Sequence, residues 1–272
     1  MIYYNYMKTY YIILFPIVIL AFSCSNSPKQ KKDIVSADLN NSLKQDSSKP
    51  INQIDEILKS IPKNIKPLFG YRFVISGDFD GDGKKEKLIE HFFSAIDNQE
   101  TNKYYNGLND FAQEVALTVK KEPYSFVSSD NKRIDTLPIS SGGQLLGLSY
   151  LKNEGDLTGD GSDEISYVVN WADWSSTNTW HLMTYKNKRW IELYSFPIWD
   201  WQIPDLPETF EQHELFGIEQ RIMKSENDSI NKNLEKELKT FKGLVRKIRT
   251  NKIQVIFRNN EAEEDTMIVD LK

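Results

Sequence analysis

The chain has 272 residues, enough for one large domain or two small ones. Hydrophobic residues make up 39% and charged residues 27%, a balance that is typical of a globular protein and excludes a disordered chain or a multi-span membrane protein. The formal net charge of −5 gives no reason to expect nucleic-acid binding, and the single cysteine excludes an internal disulfide.

The first residues have the composition of an export signal. Residues 10–23 are uncharged and mostly apolar, and they are too few for the roughly 20 residues of a membrane-spanning helix. Lys8 precedes this stretch and the small Ser23 ends it, which is the order of a cleavable signal. We therefore predict a signal peptide over residues 1–23, with Met7 as the favoured start because Lys8 follows it directly.

The position of the cysteine predicts lipidation. The residues Ala21-Phe22-Ser23-Cys24 resemble the lipobox of bacterial lipoproteins, in which the cysteine is diacylated and the preceding peptide is removed. Two or three acyl chains would anchor the chain stably in a membrane. The alternative, an incidental cysteine in a plain signal or an uncleaved anchor, stays open.

Residues 24–50 are polar and contain no aromatic residue, so we predict a flexible tether. By resemblance to other lipoproteins, Ser25 after the cysteine favours the outer membrane of the cell envelope. Lys29, Lys31 and Lys32 follow at the place where some bacterial lipoproteins carry an acidic signal for export to the cell surface. This difference favours a periplasm-facing position and leaves surface exposure open. Apolar residues at intervals of three and four then predict a short helix over 51–61.

Two short acidic segments form an internal repeat. Residues 77–88 read GDFDGDGKKEKL and residues 155–166 read GDLTGDGSDEIS, with Asp78 and Asp156 separated by 78 positions. Oxygen donors at alternate positions around a glycine turn suit Ca²⁺, which takes 6–8 hard oxygen ligands. The predicted ligands are Asp78, Asp80, Asp82, the Lys84 carbonyl and Glu86 in the first copy, and Asp156, Thr158, Asp160, the Ser162 carbonyl and Glu164 in the second.

The second copy should bind the ion more weakly, because Thr158 carries no charge. The alternative for both copies is a solvated Asp–Gly turn between two strands. An EF-hand is disfavoured, because its loop needs a bidentate acid at position 12, which is Ile89 in the first copy and Tyr167 in the second. The residues that follow each loop favour strands instead.

The two loops resemble the calcium loops of FG-GAP and VCBS-type repeats, including those in lipoproteins of Bacteroidota. The resemblance implies a mainly β fold whose antiparallel sheets are similar to the blades of a propeller. The two loops lack the regular, closer spacing of a ring of four to eight blades, so we expect an incomplete propeller.

Other strands and loops are predicted around the repeat. Alternating apolar residues predict a strand over 115–119, and a Pro turn precedes another over 124–127. Residues 97–110 have the composition of a long surface loop. A hairpin is predicted from strands over 179–185 and 190–196. These elements give a β domain over residues 51–204.

The C-terminal part, residues 205–272, is predicted to be α+β. A helical stripe of apolar residues covers 229–241, and three alternating segments follow it at 244–248, 253–257 and 267–271. A small cap on the β domain and an extension of its sheet are both compatible with this pattern.

The six tryptophans lie within 31 residues of one another. They are Trp171, Trp174, Trp180, Trp190, Trp199 and Trp201. They could form the core of one sheet or a flat face that contacts a sugar or peptide. We place the candidate ligand-binding residues at Trp199 and Trp201, on a predicted loop.

Recognisable catalytic motifs are missing from the sequence. His91, His181 and His213 have no partner at zinc-ligand spacing, and the sequence has no nucleophile elbow, P-loop or dinucleotide fingerprint. We expect a lipid-anchored envelope protein, not an enzyme, with structural Ca²⁺ and a role in binding an envelope protein or glycan. Two alternatives are a periplasmic glycan or peptide hydrolase with an unrecognised carboxylate pair near the tryptophans and a purely structural lipoprotein.

Overall fold

The computed structural model describes residues 49–68, 70–94, 96, 98–100, 103–141, 143–207 and 228–271. The predicted signal peptide, the lipidation residue Cys24 and the tether up to residue 48 lie outside the described residues, as do His213 and the rest of 208–227. None of the helices in the described ranges is long and apolar enough to cross a membrane.

Strands dominate the described residues, which confirms the predicted mainly β, antiparallel fold class. In chain order the elements are α1 (Lys49–Ser60), β1 (Lys66–Leu68), β2 (Val74–Gly77), β3 (Glu86–Phe93), β4 (Tyr104–Asn106), α2 (Phe111–Lys121), β5 (Tyr124–Ser129), β6 (Leu137–Ser141), β7 (Leu145–Gly155), β8 (Glu164–Trp171), β9 (Thr177–Lys186), β10 (Arg189–Trp199), a short 3₁₀ turn (Asp200–Gln202), α3 (Asp228–Thr240), β11 (Val245–Arg249), β12 (Lys252–Arg258) and β13 (Glu264–Asp270).

Two four-stranded sheets have the same topology. Sheet 1 has the order β2-β3-β5-β6 and sheet 2 the order β7-β8-β9-β10, and neighbouring strands are antiparallel in both. In each sheet the acidic loop joins the first strand to the second. The sequence repeat therefore corresponds to a repeat in structure. Neither sheet closes on itself within the described ranges.

The two sheets share one hydrophobic core. In β3 the side chains alternate between buried and more exposed positions, as expected for a strand with one face on the core. In β8 six successive residues are buried, so both of its faces are covered. Phe92 from sheet 1 and Leu148 from sheet 2 are both fully buried. Burial of each such side chain contributes about 1.5–3 kcal/mol.

A buried ion pair also joins the two sheets. Lys103 Nζ lies 2.7 Å from Glu90 Oε1, and both side chains have no solvent exposure. Lys103 also donates to the Leu148 carbonyl at 2.8 Å, and the Leu148 N–H donates to Glu90 at 2.8 Å. Gly147 is required beside this pair, because a Cβ there would lie 2.7 Å from the Glu90 carboxylate.

The C-terminal strands form a sheet of their own. Sheet 3 has the order β11-β12-β13 and shares no ladder with sheet 1 or sheet 2 in the described part of the chain. Its buried residues Ile253 and Val255, together with Leu238 from α3, belong to the same hydrophobic core as the other two sheets. The C-terminal part is therefore a separate sheet that packs onto a common core.

The strand predicted over 115–119 is wrong, because these residues lie in α2. The apolar spacing of Phe111, Val115 and Val119 is also that of a helix. The Asp110 side chain accepts a hydrogen bond from the Gln113 N–H at 2.9 Å and so caps the first turn. Val115 and Val119 are spaced as in either structure, Leu117 between them favours a strand, and the cap favours the helix.

The predicted hairpin after the second loop is confirmed. Its strands, β9 and β10, pair from Lys186↔Arg189 onward around the two-residue turn Asn187–Lys188. Both turn residues have positive φ, 55° and 59°, as the tightest hairpin turn requires. The predicted surface loop over 97–110 contains the short strand β4, and residues 97, 101 and 102 of it lie outside the described ranges.

Candidate metal centre

Four carboxylates of the first acidic loop converge. One oxygen each from Asp78, Asp80, Asp82 and Glu86 can be chosen so that all four lie within 4.8 Å of one another. Oxygens this close repel strongly unless a cation lies among them. The residues present are therefore a chemically suitable donor set for a hard metal ion.

Backbone N–H groups hold these carboxylates in place. The Gly83 N–H donates to Asp78 Oδ2 at 2.8 Å and the Lys84 N–H donates to Asp82 Oδ1 at 3.0 Å. The Phe79 N–H donates to Glu86 Oε2 at 3.1 Å. Gly83 has a φ of 84°, which L side chains rarely adopt, so glycine is required at this turn.

The second loop reproduces the same three hydrogen bonds at the same sequence spacing. The Gly161 N–H donates to Asp156 at 3.3 Å, the Ser162 N–H to Asp160 at 3.2 Å and the Leu157 N–H to Glu164 at 2.6 Å. Backbone N–H groups therefore hold the acidic side chains of both loops in the same way.

The side chains of the second loop differ from those of the first. The Thr158 hydroxyl donates to Glu164 Oε1 at 3.2 Å, so Glu164 accepts a hydrogen bond where the first loop has another carboxylate. Among the described residues, no second group of three or more acidic side chains converges as the first loop does. The weaker binding expected of the second copy stays a prediction.

Burial affects the glutamates of both loops in the same way. Glu86 is 5% exposed and Glu164 is fully buried. Burial raises the pKa of both carboxyls, and the backbone N–H donors of Phe79 and Leu157 counteract part of this rise. A cation beside these glutamates would favour their charged form.

Basic side chains neutralise part of each loop. Arg133 contacts Asp82 and lies 3.5 Å from Asp80 Oδ2, and its hydrogen bond lowers the pKa of Asp82. Lys186 lies 3.0 Å from Asp160. Burial opposes ionisation of Asp160, but hydrogen bonds from Ser162 and Lys186 outweigh burial and lower its pKa to about 2.

The two loops contact each other directly. The Asp163 N–H donates to the Asp78 carbonyl at 2.6 Å, and the Asp78 N–H donates back to Asp163 Oδ2 at 3.1 Å. A cavity of about 410 Å³ lies between the loops, and Asp80, Arg133 and Asp160 are among its lining residues. Order in one loop is therefore coupled to order in the other.

Sheet 3 contacts the second loop as that loop contacts the first. The Asn251 N–H, in the turn between β11 and β12, donates to the Leu157 carbonyl at 2.9 Å. Lys247 Nζ donates to the Asp156 carbonyl. Each acidic loop is thus supported by the sheet that follows it in the chain.

Two residues of this site carry no signal in the local sequence. Arg133 and Asn131 follow β5 and reach the first loop from about fifty residues away, and Asn131 Nδ2 donates to Asp80 at 3.1 Å. Only the pairing of β3 with β5 brings this turn beside the loop. The roles of the Lys84 and Ser162 carbonyls stay predictions.

The tryptophans divide between core and surface. Trp180 is fully buried, whereas Trp174 is 70% and Trp201 67% exposed. The predicted ligand residue Trp199 ends β10, and its Nε1 donates to the Ala262 carbonyl at 3.2 Å. Trp201, in the following 3₁₀ turn, stacks on Trp199 with 4.4 Å between ring centroids. Trp201 is therefore the more accessible of the predicted pair.

A polar groove adjoins these tryptophans. One cavity of about 400 Å³ is lined by residues that include Asp173, Asp200 and Asp205. Burial and the charge of Asp173 raise the pKa of Asp200, although a hydrogen bond from Asn178 counteracts this rise. The sequence did not single out these aspartates, because nothing in their spacing marks them as neighbours.

The two described histidines have carboxylate partners. His181 Nδ1 lies 2.6 Å from Glu192. His91 Nδ1 lies 2.6 Å from Glu100, and its Nε2 lies 2.9 Å from the Ser128 hydroxyl.

The chain matches no family model, no curated protein and no solved structure. Its function is therefore inferred from the geometry of the acidic loops and the tryptophan groove.

Proposed function

We propose that this chain is a lipid-anchored protein of the bacterial cell envelope that uses Ca²⁺ to order its paired acidic loops and acts as a binding module. The convergence of four carboxylates within 4.8 Å in the first loop carries the proposal. The loop resemblance to FG-GAP and VCBS-type repeats supports it, as do two sheets of the same strand order, each with its loop between the first two strands.

Ca²⁺ fits the donor set better than Mg²⁺ does. The loop offers carboxylate oxygens on a glycine-rich backbone, and Ca²⁺ accepts variable geometry at about 2.3–2.6 Å. Mg²⁺ requires a near-ideal octahedron at shorter distances and keeps several of its waters. Zn²⁺ prefers nitrogen and sulfur ligands, which this loop lacks.

The ion would act as a structural support for the binding surface. The first loop contacts the second and the second contacts sheet 3, so an ion bound in the first loop stabilises a chain of contacts. A ligand that binds only the folded state at 100 times its Kd adds about 2.7 kcal/mol of stability.

The proposed location in the cell envelope is based on the sequence around Cys24. Acylation there would tether the sheets through residues 25–48, with the outer membrane and a periplasm-facing position favoured. The ligand would be an envelope protein or a glycan.

Thermal unfolding tests the calcium proposal. We expect EDTA to lower the Tm of the chain, Ca²⁺ to restore it and Mg²⁺ to restore it poorly. Isothermal titration calorimetry should register heat when Ca²⁺ is added to the metal-free protein. An identical Tm in EDTA and in Ca²⁺, together with no heat of binding, would refute the proposal.

A hydrolase is the second candidate, and one observation favours it. Asp200 and Asp173 share a cavity beside tryptophans, and burial favours the protonated form of Asp200. A protonated acid beside an ionised carboxylate is the pairing that glycoside hydrolysis uses. Reducing-end release from a glycan that is abolished by Asp200→Asn would support this function. Unchanged release by the variant would exclude this carboxylate pair as its catalyst.

A further inference from the structure

Two cavities beside the tryptophans share a wall. The first is about 400 Å³ and the second about 470 Å³. Both are lined by Trp171, Asp173, Thr177 and Asn178, so they join along one wall. We call the combined feature the tryptophan groove.

Hydrogen bonds fix the walls of the tryptophan groove. Asn178 Nδ2 donates to Asp200 Oδ1 at 3.0 Å and to the Val169 carbonyl at 2.8 Å. The Asp200 N–H donates to the Ser176 carbonyl at 2.9 Å, which ties the 3₁₀ turn to the segment between β8 and β9. The polar groups are thus positioned before any ligand arrives, which lowers the entropic cost of binding.

Each of the two exposed indoles neighbours an aspartate of the groove. Trp174 follows Asp173 and is 70% exposed, with its ring edge-on to Phe111 at 5.5 Å. Trp201 follows Asp200 and is 67% exposed, with one face against Trp199. Both indoles are thus exposed and next in sequence to residues that line the groove, and large exposed apolar side chains of this kind mark a binding surface.

We propose that the tryptophan groove binds an oligosaccharide that carries no negative charge, with sugar rings stacked on Trp174 and Trp201 and hydroxyl groups bonded to the aspartates and amides. This assignment names the ligand class of the binding role proposed above and depends on that role. The groove carries three carboxylates, Asp173, Asp200 and Asp205, against one guanidinium, that of Arg258, so its net charge would repel a uronic acid or a phosphorylated sugar.

The mixed lining favours a sugar over a basic peptide. The groove presents carboxylate acceptors together with groups that can also donate, among them Ser149, Asn170 and Thr177. A sugar hydroxyl donates and accepts, so it can satisfy both kinds of group. A lysine or arginine side chain only donates and would leave the donors of the groove unmatched.

Calorimetry on the full chain in detergent tests the assignment with four probes. They are the N-acetylglucosamine hexamer, which is neutral, the glucosamine hexamer, which is cationic, the galacturonic acid hexamer, which is anionic, and hexalysine. We expect both the neutral and the cationic sugar to bind and the anionic sugar not to bind. Trp201→Ala should weaken sugar binding about tenfold, equivalent to about 1.4 kcal/mol.

Ile268→Ala is the matched control, because Ile268 is an exposed apolar residue of sheet 3 at 61% exposure. It should leave sugar binding unchanged. Three results would overturn the assignment. Neither the neutral nor the cationic sugar binds, the anionic sugar binds more strongly than they do, or Trp201→Ala and Ile268→Ala weaken sugar binding equally. Binding of hexalysine without the neutral sugar would make the groove a basic-peptide site and overturn it as well.

The Tm of the same samples in EDTA and Ca²⁺ separates this assignment from the calcium proposal. Sugar binding without a calcium effect on the Tm would leave the groove assignment standing and remove the calcium proposal. A calcium effect on the Tm without sugar binding would leave the calcium proposal standing and remove the groove assignment.

Discussion

The guanidinium of Arg133 stabilises the first acidic loop from a turn that is distant in sequence. It contacts Asp82 and approaches Asp80, two of the four converging carboxylates. A metal ion and Arg133 would compete for the same oxygens. Substitutions of single residues can therefore separate the contribution of each carboxylate to metal binding from the effect of the Arg133 charge.

Asp82→Ala should remove more of the calcium-dependent Tm shift than Asp160→Ala. Asp82 belongs to the converging group, whereas Asp160 lies in a loop that lacks such a group and has Thr158 at a ligand position. Differential scanning calorimetry in EDTA and in Ca²⁺ measures both shifts. Equal shifts in the two variants would contradict the ranking.

Arg133→Gln should increase the affinity for Ca²⁺ by a few-fold. The side chain is 65% exposed, so its ion pairs are screened and the gain is small. Lys132→Gln removes the same charge from the neighbouring residue, and it should change the affinity less. Titration calorimetry decides, and weaker binding in Arg133→Gln would show that the guanidinium supports the metal site instead of competing with it.

At the scale of the element, the residues that cap α2 identify it as a helix where the spacing of its apolar residues does not. Its apolar residues satisfy both a strand and a helix, and the Asp110 cap with the left-handed C-cap at Glu122 favours the helix. The buried Val115 and Leu117 of α2 pack with Tyr105, Leu146 and Ala172 in a second, smaller hydrophobic cluster. Glu114 lies on the same helix and is carried into this partly buried environment.

The raised pKa of Glu114 should make the free energy of unfolding depend on pH. Burial raises its pKa above the ordinary value of 4.5, so the folded chain binds this proton more tightly than the unfolded chain does. The stability that this proton provides is present below the unfolded pKa and is lost as the pH rises through the folded pKa. Glu114→Gln should therefore gain stability relative to the original chain as the pH rises above 4.5.

Urea unfolding in EDTA across this range measures the effect without interference from metal binding. Glu237→Gln, at an exposed position of α3, supplies the control and should show a constant difference from the original chain. A pH-independent difference for Glu114→Gln as well would show that burial does not shift this carboxyl.

At the scale of the whole molecule, polar contacts connect the three sheets in chain order. The Glu90–Lys103 pair joins sheet 1 to Leu148 of sheet 2, and the Lys247 side chain joins sheet 3 to the second acidic loop. Burial lowers the pKa of Lys103 to about 8, although Glu90 counteracts part of the effect. The buried pair is therefore satisfied but sensitive to the loss of either partner.

Lys103→Met should destabilise the fold by about 3–5 kcal/mol, because it leaves the Glu90 carboxylate buried without its cation. The double variant Glu90→Gln with Lys103→Met should recover part of this loss, since neither charge of this pair then remains buried. Urea unfolding of the single and double variants measures the free energies. A double variant that is less stable than Lys103→Met would show that the Glu90 carboxylate stabilises the core without its partner.

Much of the candidate site could be predicted from local sequence. The spacing of Asp78, Asp80 and Asp82 around a glycine turn is a short-range pattern, and the structure brings these oxygens together with Glu86. The strands on both sides followed from β-branched and aromatic residues. The helix α2 could not be assigned from apolar spacing alone, since Val115 and Val119 are spaced as in either a helix or a strand and Leu117 between them favours a strand.

The amino-acid sequence by itself determined the mainly β class, the repeated acidic loops and the clustering of tryptophans, because each depends on residues that are near one another in the chain. Only the tertiary structure decided that Arg133 contacts the first loop, that Glu90 and Lys103 join two sheets, and that Asp173 and Asp200 line one groove. These contacts depend on strand pairing between distant segments, and pairing is selected by the burial of a common core that no local pattern specifies.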